Sequence, residues 1–335
     1  MPPTDLESLA RTLHDTAVQQ DFSGAISLDA DGDAVLAQAY GLADRAHGIP
    51  NALETRFGTA SVSKGFTALA IHALIEDGSL ELDTPVRSVL GEDLSVIDDG
   101  VTVQHLLEHT SGIGDYLDES DDLESTDYVL TVPTHTLANT ESFLSAIDGH
   151  PQVSPPGERF AYNNGGYIVL ALVAERVAGV GFHELVARRV FEPAGMTATG
   201  YLRLDELPGD AAVGYLGIGD RTNVLHLPVR GNGDGGAYTT AGDLSRFWRS
   251  LTDGRILPQP TVAEVLRPRR TVEEEGMRYG RGFWIDLTKP DPILIGGDAG
   301  VSIVTRFDPA TRTTMTIVSN TPDGAWPLYR AYRNS

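Results

Sequence analysis

Ser61 and Lys64 stand three residues apart in Ser61-Val62-Ser63-Lys64, a spacing that puts both side chains on one face of a helix. A serine hydroxyl is a poor nucleophile until a base takes its proton. A lysine serves as that base only when it is partly neutral, which burial or nearby positive charge favours, whereas arginine stays protonated. The chain holds only two lysines, Lys64 and Lys289, and uses arginine everywhere else. That scarcity separates this Ser-x-x-Lys from the many that occur by chance. The N-terminal end of the helix adds a positive field that favours an alkoxide and a developing oxyanion. A second group is Tyr162-Asn163-Asn164, which follows Pro155-Pro156-Gly157-Glu158-Arg159-Phe160. A phenol beside a cationic lysine ionises more easily and can pass a proton to a leaving group. An amide two residues on can hold the lysine and donate to a substrate carbonyl. The competing reading is that Tyr162 packs and Asn164 caps the helix that follows.

Ser61-Val62-Ser63-Lys64-Gly65-Phe66-Thr67-Ala68 resembles the first motif of the serine β-lactamase and penicillin-binding-protein family, in particular the class C β-lactamase, esterase and D-aminopeptidase branch. Tyr162-Asn163-Asn164 is similar to that branch's Tyr-x-Asn motif. Leu106-Leu107-Glu108-His109-Thr110-Ser111-Gly112, Pro193-Ala194-Gly195-Met196, Gly235-Gly236-Ala237-Tyr238-Thr239-Thr240 and Tyr279-Gly280-Arg281-Gly282-Phe283 agree in order. The resemblance covers roughly residues 20 to 320, and several ordered motifs are far more specific than one. It implies attack of Ser61 on a carbonyl, an acyl-enzyme, and its release by water, with Lys64 and Tyr162 sharing base and acid work. It also implies an oxyanion hole that includes the Ser61 N–H.

The third motif departs from the family. Lys-Thr-Gly or His-x-Gly is expected on a cleft strand, and the matching stretch is Gly296-Gly297-Asp298-Ala299-Gly300-Val301-Ser302. Gly297 falls where the cation or imidazole would be, with Asp298 beside it, and the Gly300 N–H is expected to complete the oxyanion hole. Without the cation, a substrate carboxylate loses its anchor. The expected substrate is therefore a small neutral ester or amide, with weak or no β-lactamase activity. β-Lactamase or DD-peptidase activity, or a degenerate relative that binds without turnover, are the competing readings.

Two further patterns carry other chemistry. His105-x-x-Glu108-His109 matches an inverted zinc-protease pattern, but it lies inside the family's Leu-Leu-x-His-Thr-Ser-Gly stretch and lacks a third ligand, so no metal is expected. Gly231-Asn232-Gly233-Asp234-Gly235-Gly236 satisfies Gly-x-Gly-x-x-Gly, yet no parallel α/β alternation surrounds it and Asp234 would repel a pyrophosphate. It reads as a flexible loop at the cleft edge, and no cofactor is expected.

The elements that must position these residues follow from periodicity. Apolar spacing predicts helices over 5–20, from near Ser61 to Glu76, over 84–90, 102–109, 140–147, 164–178, 181–190 and 240–251, and near the C-terminus over 326–333. Alternation predicts a hairpin at 25–28 and 34–39, and strands at 279–285, 293–295, 301–307 and 313–319. Strands at both ends with helices between predict an α/β (α+β) fold: an antiparallel sheet built from both termini and flanked by helices, with an inserted mostly helical domain. The expected division is 1–58 with 235–335 as the sheet domain and 59–234 as the helical one, with the site in the cleft between them. The acidic run from Asp115 to Asp127 is expected to be a surface loop or lid.

Composition bounds the function. The 335 residues are 41% hydrophobic, enough for a substantial core, and carry a net charge of −22, which suits neither nucleic acid nor an anionic membrane. There is no cysteine, which excludes disulfides, thiolate catalysis and Cys-ligated metals. No apolar run reaches the ~20 residues of a bilayer span. The start, Met1-Pro2-Pro3-Thr4-Asp5, lacks basic and apolar signal regions, so a cytoplasmic protein acting on a small acyl substrate is expected.

Overall fold

The structure is a computed structural model that describes residues 3–117, 128–217 and 219–335. Helix α1 (Pro3–Gln19) leads into the hairpin β1 (Gly24–Ala30) and β2 (Asp33–Tyr40). The C-terminal third returns as β3 (Arg270–Val272), β4 (Met277–Tyr279), β5 (Trp284–Asp286), β6 (Pro292–Asp298), β7 (Val301–Asp308) and β8 (Thr313–Ser319). All pair antiparallel in one sheet of order β2-β1-β8-β7-β6-β5-β4-β3, so the two ends of the chain share a sheet through β1 and β8.

Both faces of that sheet are covered, and the alternation of each strand divides its residues between two cores. Ile26, Leu28, Val304, Met315 and Ile317 pack with Leu6, Leu9 and Leu13 of α1 and Leu328 of the C-terminal helix Ala325–Arg333. Ala25, Leu294, Ile303 and Val318 face the other core, with Phe247 and Trp248 of the helix Ala241–Thr252. Central β8 is accordingly buried at every position, while edge strand β2 is exposed or half-buried throughout.

The insertion between the two halves of the sheet carries α2 (Ser63–Glu76) and α3 (Asn164–Ala178), packed together. Its entry and exit are pinned where Phe57–Gly58 pairs with Tyr238–Thr239. Every residue of α2 from Ser63 to Leu74 is buried: α3 packs alongside it, Leu294 of the sheet lies against Gly65, and Phe66 meets Phe247 of the helix Ala241–Thr252 edge-on. Among the described residues no single helix is long and apolar enough to cross a membrane.

Other departures are local. The single strand expected at 279–285 is two, β4 and β5, broken at Gly280–Phe283; a Cβ on Gly282 would sit 2.4 Å from the Ala68 Cβ, so this break lies tight against α2. The helices expected at 84–90 and 102–109 shorten to Arg87–Leu90 and Val103–Leu107. The one expected at 181–190 passes through a π turn at Ala187–Phe191. The helix Gln259–Leu266 and strand β3 have no counterpart in the periodicity reading. The acidic run 118–127 lies outside the described residues.

Candidate active site

Ser61 sits in a 3-10 turn, Ala60–Val62, that runs directly into α2. Ala60 enters it with φ +42°, a left-handed conformation uncommon for a residue with a Cβ and typical of constrained sites. The two serines of the motif separate cleanly. Ser63 is buried and bonded to the Thr59 hydroxyl at 2.9 Å and the Ala237 N–H at 3.1 Å, so it is structural. Ser61 is half-buried and lines a cleft.

Lys64 is 2% exposed, and its Nζ meets three acceptors: Ser61 Oγ at 2.9 Å, Asn164 Oδ1 at 2.7 Å and the Asp234 carbonyl oxygen at 2.8 Å. An ammonium satisfies all three. A neutral amine has only two N–H groups and one lone pair. With Asn164 Oδ1 and the Asp234 carbonyl able only to accept, the lone pair is left for the one neighbour that can donate, Ser61 O–H.

Asn163, rather than Asn164, caps α3: its Oδ1 accepts from Gly166 N–H at 2.6 Å. Asn164 is the first residue of the helix and turns its amide oxygen to Lys64 instead. The Tyr162 ring lies 4.9 Å from Lys64 Nζ, stacks nearly parallel on Trp284 and lies 4.4 Å from the His109 ring.

His109 orders this wall. Its Nδ1 accepts the Asn163 N–H at 3.1 Å, which leaves Nε2–H to donate to the Tyr279 hydroxyl at 3.1 Å. Tyr279 then donates to Tyr167 at 3.3 Å, and Tyr167 to the Leu107 carbonyl at 3.1 Å. Burial, with the Lys64 charge adding to it, holds the imidazole well below its ordinary range. The zinc pattern is thereby spoken for: His105 Nδ1 accepts from Thr102 N–H, and Glu108 pairs with buried Arg281 at 3.0 Å.

The cleft strand is β6, and its register corrects the expectation for the third motif. Leu294 packs against α2 at Gly65, and a Cβ on Gly296 would sit 2.4 Å from the Thr59 carbonyl oxygen and 3.0 Å from Ser61 N. Gly297 points the other way, where a Cβ would meet the Trp326 ring at 3.2 Å. A cation at 297 would therefore project away from Ser61, and only the backbone of Gly297 borders the cleft. Gly300 is displaced further. With φ +74° it forms the β6–β7 turn, packed on Gly214 and Tyr215, and it does not line the cleft. Beyond Ile293 no described strand pairs with β6 on the side away from β7, so the edge over Gly296–Asp298, not Gly300, lies beside Ser61. Asp298 lines the cleft, its Oδ1 accepting the Ala299 N–H at 2.8 Å.

The cleft has a volume of about 300 Å³. One wall is apolar, made by Leu117, Leu130, Leu202, Leu204, Leu227 and Pro228. Asp234 and Asp298 are its carboxylates, and no arginine or lysine lines it among the described residues. Asp234 Oδ2 accepts from the Tyr116 hydroxyl at 2.5 Å, and burial raises its pKa. His226 also lines the cleft. The glycine-rich loop 231–236, expected to be flexible, is instead buried at Asn232, Gly233 and Asp234 and supplies the third acceptor of Lys64.

The sequence reading gave Asp115, Tyr116 and Asp234 no part in holding Lys64. The first two read as the start of an acidic run, and Asp234 acts on Lys64 through its backbone, which no residue type announces.

The family model for Beta-lactamase matches residues 8–334. A penicillin binding protein from Bacillus halodurans has a similar crystal structure, with 37% identity and a TM-score of 0.90 over 96% of this chain and 99% of that one. The putative penicillin-binding protein PbpX of Bacillus subtilis is 28% identical over 91% of this chain and 72% of its own length. Esterase EstB of Burkholderia gladioli is 29% identical over 82% and 77%.

Proposed function

The chain belongs to the beta-lactamase family of serine hydrolases, and from that premise we propose that it cleaves small neutral esters or amides through an acyl-enzyme on Ser61. The observation that carries this reading is Lys64 Nζ, 2.9 Å from Ser61 Oγ and otherwise held by two pure acceptors, so that once neutral its lone pair has only the Ser61 hydroxyl to meet. Lys64 takes the Ser61 proton as Oγ attacks the carbonyl carbon. The tetrahedral oxygen is held by the Ser61 N–H and by the open edge of β6 over Gly296–Asp298. Collapse breaks the bond to the alcohol or amine, which leaves with a proton returned from Lys64 or relayed by Tyr162. Water, deprotonated by the same groups, then attacks the ester of Ser61 and frees the acid.

Two features favour a neutral, apolar acyl group. Leucine and proline form the wall beside Ser61, and the charged side chains of the lining are the carboxylates Asp234 and Asp298. A substrate carboxylate would be repelled there and find no cationic anchor. EstB is an esterase by name, while PbpX and the Bacillus halodurans protein are penicillin-binding proteins by name, so the choice between ester and β-lactam rests on the cleft.

The test pairs p-nitrophenyl butyrate turnover and fluorescent phosphonate labelling with nitrocefin turnover, in the native chain and in Ser61→Ala. Ester hydrolysis and labelling are expected in the native chain and lost in the variant. Labelling that survives in Ser61→Ala removes the nucleophile from its role. Nitrocefin turnover matching the best ester overturns the neutral-substrate reading, and no labelling of the native chain favours a relative that binds without turnover.

A further inference from the structure

We infer that Asp115-Tyr116-Leu117 is a positioning segment that fixes both acceptors of the Lys64 amine other than Ser61, and so directs its lone pair. This rests on Lys64 being the base in the proposed reaction.

Each residue of the segment makes one link. Asp115 accepts the first two N–H groups of α3: Oδ2 takes Asn164 N–H at 2.6 Å and Oδ1 takes Gly165 N–H at 2.8 Å. It thereby anchors the backbone that carries the Asn164 side chain. The Leu117 carbonyl accepts Asn164 Nδ2–H at 3.0 Å. A carbonyl can only accept, so this contact fixes which end of the amide faces which way and leaves Oδ1 toward Lys64. Tyr116 is buried and donates its hydroxyl to Asp234 Oδ2, which holds the loop whose Asp234 carbonyl meets Lys64. Three consecutive residues thus reach two acceptors that lie far apart in the chain.

The segment is also charged and shielded from water, with Tyr116 buried and Asp115 and Leu117 half-buried. The charged groups facing it are the Lys64 ammonium from α2, which acts on Asp115, and the Asp234 carboxylate from loop 231–236 and the Asp298 carboxylate from β6, which with burial and Asp115 itself raise the Tyr116 phenol. Burial raises Asp115 to about 6, against the lowering effect of its backbone donors. Protonation turns one of its oxygens into a donor facing a helix N–H, which loosens Asn164. Activity should therefore fall as pH drops through about 6.

The experiment compares Tyr116→Phe, Asp115→Asn and Lys64→Arg with the native chain in pH profiles of kcat and KM for p-nitrophenyl butyrate, with thermal melting as a fold control. Tyr116→Phe keeps the ring and should fold as the native chain does. It is expected to lower kcat about ten-fold, the size of one hydrogen bond to a charged group, with KM little changed and the kcat profile displaced along the pH axis. Asp115→Asn should lower kcat further and lose the break near pH 6. Should Asp115→Asn fail to fold, Tyr116→Phe decides alone. Variants with the native kcat and profile, beside an inactive Lys64→Arg, overturn the positioning inference and leave the proposed reaction standing. An active Lys64→Arg overturns both. A lowered melting temperature with an unchanged profile assigns the segment a structural role only and also overturns the inference.

Discussion

Lysine and arginine carry the same charge, but only lysine can give up a proton to become a base. At position 64 that difference is decisive, because the amine meets Ser61 at 2.9 Å and is enclosed by Asn164 and the Asp234 carbonyl. Lys64→Arg retains donors for both fixed acceptors and loses the lone pair. It should cost about 100- to 10,000-fold in the acylation rate, the usual worth of a general base, and approach Ser61→Ala. Single-turnover release of p-nitrophenol reads this directly, and activity near the native level would remove Lys64 as the base. The pair was legible in sequence because its spacing is that of one helical turn and the chain holds so few lysines. The partners of Lys64 were only half legible. Asn164 belongs to a motif, but its role as cap or ligand could not be separated until Asn163 was seen to take the cap. Asp234 and Asp115 lie 170 and 51 positions from Lys64, and one works through a carbonyl and the other through helix N–H groups, so residue type carries no trace of either role.

At the scale of elements, register decides function. Along a strand a one-residue shift moves every side chain to the opposite face. The glycines at 296 and 297 are adjacent in a stretch without strong alternation, so sequence placed Gly297 at the cleft, where its backbone lies, without showing that a side chain there would point toward Trp326. The structure predicts that Gly297→His creates no carboxylate anchor, because the ring would project toward Trp326. The ratio of nitrocefin to ester turnover should stay at its native value; a marked rise would mean that position 297 does face the substrate. The glycine-rich loop makes the converse point. A Cβ on Gly233 would sit 2.1 Å from the Tyr167 carbonyl oxygen and 2.9 Å from Ala171 Cβ, both on α3. Gly233→Ala must lift the loop and with it the Asp234 carbonyl. A loss of about 1–3 kcal/mol in urea unfolding is expected, as for overpacking elsewhere, together with a fall in kcat. Native stability and activity would contradict the packing described for this loop. The long elements, α3 and β8, matched the periodicity reading because burial enforces it over many residues. The break at Gly280–Phe283 did not, because the contact that forces it comes from α2.

Three histidines of the molecule, His72, His109 and His183, sit where burial resists their protonation, and they shape its response to acid. His72, in α2, is held down to about 4 by burial first and then by the positive charges of Arg281 and Arg269. His183 is likewise held to about 4 by burial and Arg230, and His109 lies well below its ordinary range. A group whose folded pKa is depressed binds fewer protons folded than unfolded below its ordinary value near 6.5, so folding stability falls as pH drops through that value. The raised carboxyl groups, Asp115, Asp234 and Asp291, act in the opposite sense, because the folded state takes up their protons first. Comparing the native chain with one variant removes this opposing contribution. His72 is nearly fully buried, and its share of the loss between pH 7.5 and pH 5 is about 2 kcal/mol. His72→Gln, of similar size and without a titrating group, should therefore lose about 2 kcal/mol less than the native chain in urea unfolding over that interval. Because His72 sits two turns along α2 from Lys64, enclosed near the Arg281–Glu108 pair that joins the β4–β5 break to the helical insertion, its protonation strikes where the site is held together. Parallel stability curves for the two proteins from pH 7.5 to pH 5 would show that the buried imidazole is not what makes this fold sensitive to acid.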